Sequence, residues 1–169
     1  MKKTVLTFGL LSGVVSALMM FANVLFIDRI GFDKGIFVGY TGIVLSLLFV
    51  YFGVRSYRDN QLGGKITFGR AFGVGMLITL ISCVFYVVAW EIEYATVFAD
   101  FADKYAAYAM EQARASGANE ATMAAKAAEM ADMKEVMDSP IKRPLFIFIE
   151  PFPVGLLVTL ISAAVLRKK

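Results

Sequence analysis

The sequence predicts an all-α membrane protein with four transmembrane helices and an extracytoplasmic antiparallel helical hairpin between the third and the fourth. Three observations predict this class. Hydrophobic residues make up 59% of the 169 residues, and the mean hydropathy is +0.68, which is more apolar than an ordinary soluble domain. Several charge-free runs are long enough, at about 1.5 Å per residue, to cross a bilayer core of roughly 30 Å. Basic residues also gather at one set of helix ends.

The first predicted span covers residues 4–27, directly after Lys2 and Lys3. A cleaved signal peptide is the alternative, with Val15-Ser16-Ala17 as its best cleavage site. Signal peptides carry an apolar region of about 7 to 15 residues, which is shorter than this run, so we favour an uncleaved helix. A short loop over residues 28–34 then leads to the second span, residues 35–54.

The third span, residues 71–90, has Arg70 before it and an aromatic and acidic end, Trp90-Glu-Ile-Glu-Tyr94, after it. Aromatic and polar residues of this kind are typical of the membrane interface. The fourth span covers residues 144–166 and is interrupted only by Glu150. We therefore predict a single membrane domain over residues 1–169.

The distribution of charge predicts the topology. The segment 55–65 and both chain ends are basic, whereas residues 91–143 contain ten acidic and six basic residues. Positively charged loops are retained in the cytoplasm. The pattern thus predicts a multi-pass protein of the bacterial inner (cytoplasmic) membrane with both termini cytoplasmic and an outward helical insertion at about 95–140.

Spacings of three and four residues predict amphipathic helices in this insertion. We expect the third helix to continue out of the membrane until Ser116-Gly117, and Asn119 to cap a second helix that ends before Pro140. The hairpin is interpreted either as a self-packed cap or as a partner-binding surface. Its candidate surface is formed by two stripes, Phe98, Phe101, Tyr105 and Tyr108 on one helix and Met123, Met130, Met133 and Met137 on the other.

The residue inventory excludes several kinds of chemistry. The chain has no histidine and one cysteine, Cys83, so imidazole catalysis, Cys/His metal sites and intramolecular disulfides are excluded. We expect no cofactor and no enzymatic activity. Because the basic residues gather at helix ends, where membrane orientation explains them, we also expect no binding of nucleic acid.

Charged residues at membrane depth are the usual indicators of a functional site. Glu150 is the main candidate, and Glu91 and Glu93 are expected at a similar height near the outer interface. Together with Asp28 and Asp33 they define a candidate acidic vestibule. We expect Glu150 to lie where its helix is broken or begins, and to pair with Lys142 or Arg143.

Two further polar positions complete the candidate site residues. Asn23 is expected to form a hydrogen bond between helices, and Arg70 lies at the basic start of the third span. The segments 7–14 and 67–74 resemble each other, as do 42–48 and 155–161, and this suggests an internal repeat of two helix pairs.

Three blocks of sequence carry a resemblance to a known family. They are Gly63-Gly-Lys-Ile-Thr-Phe-Gly-Arg-Ala-Phe-Gly-Val-Gly75 followed by Tyr86 and Trp90, then Gly117-Ala-Asn119, then Glu150-Pro-Phe-Pro-Val-Gly-Leu-Leu-Val-Thr-Leu-Ile-Ser162 with the basic tail. The chain resembles the bacterial membrane family known as domain of unknown function 4199. The resemblance implies four spans with an outward helical insertion, and it implies no catalytic residues.

Two functions follow as hypotheses. The first is a non-enzymatic scaffold or assembly partner that uses the helical hairpin. The alternative is a small transporter or channel component with an acidic outer vestibule around Glu150. The expected partners are the lipid bilayer, a membrane or extracytoplasmic protein, and a second copy of the chain.

Overall fold

Six α-helices account for most of the chain in the computed structural model, which describes residues 1–168 apart from the side chain of Asp28. Lys169, the last residue of the basic tail, and the carboxylate of Asp28 in the predicted vestibule lie outside this description. The helices are α1 (Lys2–Gln61), α2 (Phe68–Thr96), α3 (Phe101–Ala115), α4 (Glu120–Asp138), α5 (Lys142–Ile149) and α6 (Pro151–Leu166). An isolated antiparallel bridge joins Ile66 to Lys168.

Four helical stretches are long and apolar enough to cross a membrane. They are Lys2–Ile27, Arg29–Gln61, Phe68–Thr96 and Lys142–Leu166. The predicted all-helical class with four apolar spans is therefore confirmed, and the chain is a multi-pass membrane protein by length and composition. The third stretch runs past both predicted boundaries, whereas the fourth begins two residues before its predicted start and ends at Leu166 as predicted.

The first two spans meet at Gly31 without the loop that we expected over residues 28–34. Helix continues on both sides, and Gly31 alone leaves the helical region, with φ 78° and ψ 164°. A side chain disfavours positive φ, whereas glycine adopts it at little cost. One residue thus makes the bend for which a longer loop was predicted.

The chain divides into two compact units, and the first comprises Met1–Ala89 and Phe148–Lys169. Its helices approach closely where glycine faces a larger side chain. A Cβ added to Gly9 would lie 2.8 Å from the Ile81 side chain, and one added to Gly13 would lie 2.5 Å from Phe85. Gly69 and Gly73, which have the same spacing, have nothing near them. Only the first of these two glycine pairs therefore forms a helix contact.

The second unit comprises Trp90–Ile147, and within it α3 and α4 pack against each other. Gly117 ends the intervening turn with φ 76°. The Asn119 side chain accepts a hydrogen bond of 2.9 Å from the Thr122 backbone N–H, which caps α4 as predicted. An ion pair between Lys134 and Asp103 links the two helices.

The expectation of one continuous helix from the third span to Ser116 is wrong. The helix stops at Thr96, and α3 begins at Phe101. The backbone N–H groups of Val97 and Phe98 both donate to the Glu93 carbonyl, each at 2.8 Å. This break turns the Phe98 ring inward, where it is 7% exposed. Burial of an aromatic ring offsets the lost helical hydrogen bonds.

Candidate functional site

A tyrosine and a carboxylate form the main polar contact between the third and fourth spans. The Tyr86 hydroxyl donates a 2.8 Å hydrogen bond to Oε2 of Glu150. Tyr86 is buried on α2, and Glu150 is half-buried between α5 and α6. The predicted helix break at Glu150 is confirmed, since α5 ends at Ile149 and Pro151 begins α6. Proline is well suited to the first helical position because it has no N–H to satisfy.

The expected partners of Glu150 are wrong. Lys142 donates to Glu135 at 2.5 Å, and Arg143 binds Glu91. Lys142 and Arg143 therefore satisfy other carboxylates.

The Glu150 contact lies some way along both helices. Glu150 lies eight residues inside the helical stretch that begins at Lys142, which is about 12 Å along a helix. Tyr86 lies ten residues before the end of α2, about 15 Å by the same measure. The position of Glu150 near the outer interface stays a prediction.

Below Tyr86, hydroxyl groups on the same face of α2 join all four spans. The Ser12 hydroxyl donates to the Ser46 carbonyl at 2.8 Å, and its oxygen lies 2.9 Å from the Ser82 hydroxyl oxygen, within hydrogen-bond distance. One turn further, the hydroxyls of Thr79 and Thr159 lie 3.0 Å apart. Spacings of three and four residues along α2 place Thr79, Ser82 and Tyr86 on one stripe. These groups hold the bundle together, because in an apolar medium they satisfy one another.

The second unit contains a charged cluster at the end of α2. The Arg143 guanidinium binds both oxygens of Glu91, at 2.9 and 2.7 Å, and donates to the Met137 carbonyl at 2.7 Å. It also lies 4.0 Å from the centre of the Tyr94 ring. A bidentate arginine that also stacks on an aromatic ring is well ordered. This cluster therefore fastens α5 to the end of α2.

Glu93, two residues away, is the unusual carboxylate of the second unit. It is completely buried, and neither oxygen has a hydrogen-bond partner within residues 1–168. The Trp90 indole N–H, one turn earlier, is also buried without an acceptor in the same range. Unsatisfied buried groups cost free energy. Glu93 is thus a source of instability at this point of the fold.

The remaining candidate positions lie apart from these sites. Asn23 donates from Nδ2 to the Gly35 carbonyl at 3.0 Å, and so forms the expected bond between the first two spans. Its Oδ1 is buried without a partner in the described part. The Arg70 side chain is exposed, sixteen residues before Tyr86 on α2, or about 24 Å. Asn23 and Arg70 therefore belong neither to the Tyr86–Glu150 contact nor to the Arg143 cluster.

The aromatic stripe of the second unit packs as a ladder. Ring centroids are 5.1 Å apart for Trp90 and Phe101, 5.5 Å for Phe98 and Phe101, and 5.9 Å for Phe101 and Tyr105. The next ring, Tyr108, lies 6.4 Å from Tyr105. The self-packed interpretation therefore describes the contacts of this stripe.

The methionine stripe of α4 is buried to different extents. Met130 and Met137 are 5% and 2% exposed, whereas Met123 and Met133 are half-buried. Buried methionines are not available to a partner unless the helix pair opens. A partner that binds the closed pair contacts its other faces.

Sequence reasoning missed two features of the bundle. Tyr86 was not recognised as the partner of Glu150, although it falls on the stripe of Thr79 and Ser82. The hydrogen bonds of Ser12 to two other spans were missed as well, since nothing in the local sequence distinguishes this serine. Within residues 1–168, no group of three or more His, Cys, Asp or Glu side chains is arranged to hold a metal ion.

Comparison with known proteins identifies a family but no individual relative. No curated protein and no solved structure matches the chain. One family model matches residues 7–168, nearly the whole chain, and its description is "Protein of unknown function (DUF4199)". The match confirms the resemblance drawn from the glycine-rich and Glu-Pro-Phe-Pro blocks, and the chain belongs to this family.

Proposed function

We propose that this chain is a non-enzymatic scaffold or assembly partner of the bacterial inner membrane. Its termini are cytoplasmic, and α3 and α4 form an extracytoplasmic helical hairpin that contacts a partner protein. The observation that carries the proposal is the way in which the polar groups of the bundle are used. The hydroxyls of Ser12, Ser82, Thr79 and Thr159 bond to protein atoms of neighbouring helices.

Close helix contacts support the same function. A Cβ on Gly75 would lie 2.9 Å from the Thr159 side chain, and one on Gly155 would meet Thr79. Small residues at such contacts let membrane helices approach and pack. A closely packed bundle favours a scaffold over a conduction path.

The surface offered to a partner is the exposed side of α4. Its outward face carries alanine at Ala121, Ala124, Ala128 and Ala131, all exposed. Alanines at these spacings form one stripe along the helix. A partner helix can approach this stripe closely. The alanine side chains have no rotamers, so they lose no conformational freedom on binding.

Site-specific photo-crosslinking in native membranes tests the proposal. A crosslinker at Ala124 or Ala128 should yield a discrete adduct of higher mass. The same crosslinker at Met130, which is 5% exposed, should react only within the chain. Absence of any intermolecular adduct from the alanine positions would count against a scaffold.

A small transporter is the second candidate, and the Tyr86–Glu150 contact favours it. A carboxylate well inside a span is by default a functional candidate. Tyr86 lies directly above the Ser82 group on α2, so polar atoms recur at successive turns of the bundle. In this alternative Glu150 carries a proton or a cation.

Proteoliposomes separate the two functions. The parent chain, Glu150→Gln and Tyr86→Phe should be reconstituted in equal amounts and tested for proton and cation flux. A scaffold predicts no flux above empty vesicles for any of the three. A flux in the parent that Glu150→Gln removes, with thermal stability unchanged, would favour the transporter.

A further inference from the structure

One end of the first unit carries many cations and, among its described side chains, a single carboxylate, Asp59. The candidate spans have their ends there at Lys2, Gln61, Phe68 and Leu166. Eight lysines and arginines of the described chain lie at or near these ends, together with Asp59. Asp59 is already engaged, since it lies 2.7 Å from Arg58 and 3.6 Å from Arg55.

The other six cations have no counter-charge among the described side chains. All are exposed, and none forms an ion pair within residues 1–168. We refer to them as the basic end: Lys2, Lys3, Lys65, Arg70, Arg167 and Lys168.

Hydrogen bonds hold the segments of the basic end together. The N–H of Ile66 donates to the Lys168 carbonyl and the N–H of Lys168 donates to the Ile66 carbonyl, both at 2.9 Å. The ammonium group of Met1 donates to Gln61 Oε1 at 2.6 Å, and Arg58 reaches the Leu166 carbonyl at 3.4 Å. The loop before α2, the N-terminus and the tail after α6 are therefore fixed next to one another.

We propose that the basic end binds the phosphate groups of anionic lipid headgroups in the surrounding leaflet. The cations flank the ends of the apolar spans, which is the depth at which headgroups lie. The bridge between Ile66 and Lys168 is antiparallel, so the neighbouring Lys65 and Arg167 lie diagonally across it on the same face. Long side chains can span this diagonal, and two cations can therefore contact one phosphate. Retention of basic loops in the cytoplasm explains the number of cations. Retention does not explain why backbone hydrogen bonds join the segments that carry these cations. The proposal does not depend on the partner surface of α4.

Native mass spectrometry of the full chain in detergent tests this directly. Phosphatidylglycerol should bind in preference to phosphatidylcholine, and added salt should weaken its binding. A triple variant, Lys65→Gln, Arg167→Gln and Lys168→Gln, should lose affinity for phosphatidylglycerol by about fivefold per cation, or roughly a hundredfold in total. The bridge is formed by backbone atoms, so these side-chain changes leave it intact.

A matched control places the same charge change elsewhere. Lys104→Gln, Arg114→Gln and Lys126→Gln together remove three cations of the second unit, and should leave binding unchanged. A second variant, Lys2→Gln with Lys3→Gln, alters only the start of α1 and should weaken binding about 25-fold. This double variant tests the proposal if the triple variant does not fold.

Four results would overturn the proposal. They are equal binding of the two lipids, full affinity in both basic-end variants, an equal loss in the control, or displacement of the lipid by inorganic phosphate at similar concentration. The last would show a site for free phosphate.

Discussion

Glu150, Glu91 and Glu93 illustrate how environment separates chemically identical side chains. Glu150 accepts a hydrogen bond from Tyr86, Glu91 binds Arg143 through two bonds, and Glu93 is buried without a partner in the described chain. Since removal of a partner costs more than removal of a complete pair, the three positions should respond differently to the same substitution.

We expect Glu93→Met to raise the thermal stability of the protein in detergent. The substitution removes two unsatisfied buried oxygens and retains most of the volume, which should stabilise the fold by about 1 kcal/mol or more. Glu91→Met is the matched control and should destabilise by about 1–3 kcal/mol, because it leaves the Arg143 guanidinium without its carboxylate. Thermal unfolding followed by circular dichroism measures both. A lower midpoint for Glu93→Met would show that this carboxylate has a favourable role.

At Glu150 the hydrogen-bond acceptor should matter more than the charge. Glu150→Gln retains an acceptor oxygen for Tyr86 and should change stability little, whereas Glu150→Leu should cost about 1–3 kcal/mol. Tyr86→Phe should resemble the leucine variant, and Tyr40→Phe, at an exposed tyrosine, serves as the control. The same unfolding measurement applies. Equal losses for the glutamine and leucine variants would show that the negative charge itself is required.

At the scale of elements, the aromatic ladder joins α3 to the end of α2 within the second unit. Phe101 is the central rung, in ring contact with Trp90, Phe98 and Tyr105. Helices as short as these are marginal alone, and packing of the amphipathic face supplies most of their stability.

Phe101→Asp should therefore loosen the second unit. Phe101 is half-buried among these rings, so a carboxylate there loses the ring contacts and part of its hydration without gaining a partner. Hydrogen exchange over residues 98–137 should show faster exchange than in the parent. Ala107→Asp, at an exposed position of the same helix, should leave the exchange unchanged. Equal protection in the parent and Phe101→Asp would refute the role of the ladder.

The link between α4 and α5 should show a specific acid response. The Lys142 ammonium, bonded to Glu135 at 2.5 Å, holds the pKa of this carboxyl below its ordinary value. The contribution of Glu135 to stability is thus present above the unfolded pKa of about 4.3, and is lost as the pH falls through the folded pKa. NMR titration of the Glu135 carboxyl measures the effect. Lys142→Met should raise this pKa towards the ordinary value, whereas Lys104→Met should leave it unchanged.

The sequence indicates the spans well because charge-free runs end at charged or interfacial residues, and these boundaries depend only on local composition. The break at residues 97–100 was not foreseeable in the same way. It contains neither glycine nor proline, and it depends on where the Phe98 ring finds its neighbours. The partner of Glu150 was missed for a similar reason, since several carboxylates compete for Arg143 and only the folded chain selects Glu91.

At the scale of the whole molecule, the basic end and residues 91–143 differ in the arrangement of their charges. The basic end has six cations without ion pairs in the described part, whereas residues 91–143 contain several ion pairs, among them Lys126 with Glu129 and Arg114 with Glu111. Paired charges contribute little net field, whereas unpaired cations resist translocation across the membrane. The basic end should therefore determine the orientation of the chain.

Cysteine labelling tests this orientation. Asn60 and Ser116 are both exposed, and Cys83, the native cysteine, is 0% exposed, so the unmodified parent is the control and should not react. With a membrane-impermeant maleimide on cells whose outer membrane is permeabilised, Ser116→Cys should be labelled and Asn60→Cys should not. Asn60→Cys should react once the inner membrane is also opened, because the segment around it carries the retained cations. Labelling of Asn60→Cys but not Ser116→Cys before that step would reverse the topology, and it would place the α3–α4 pair in the cytoplasm.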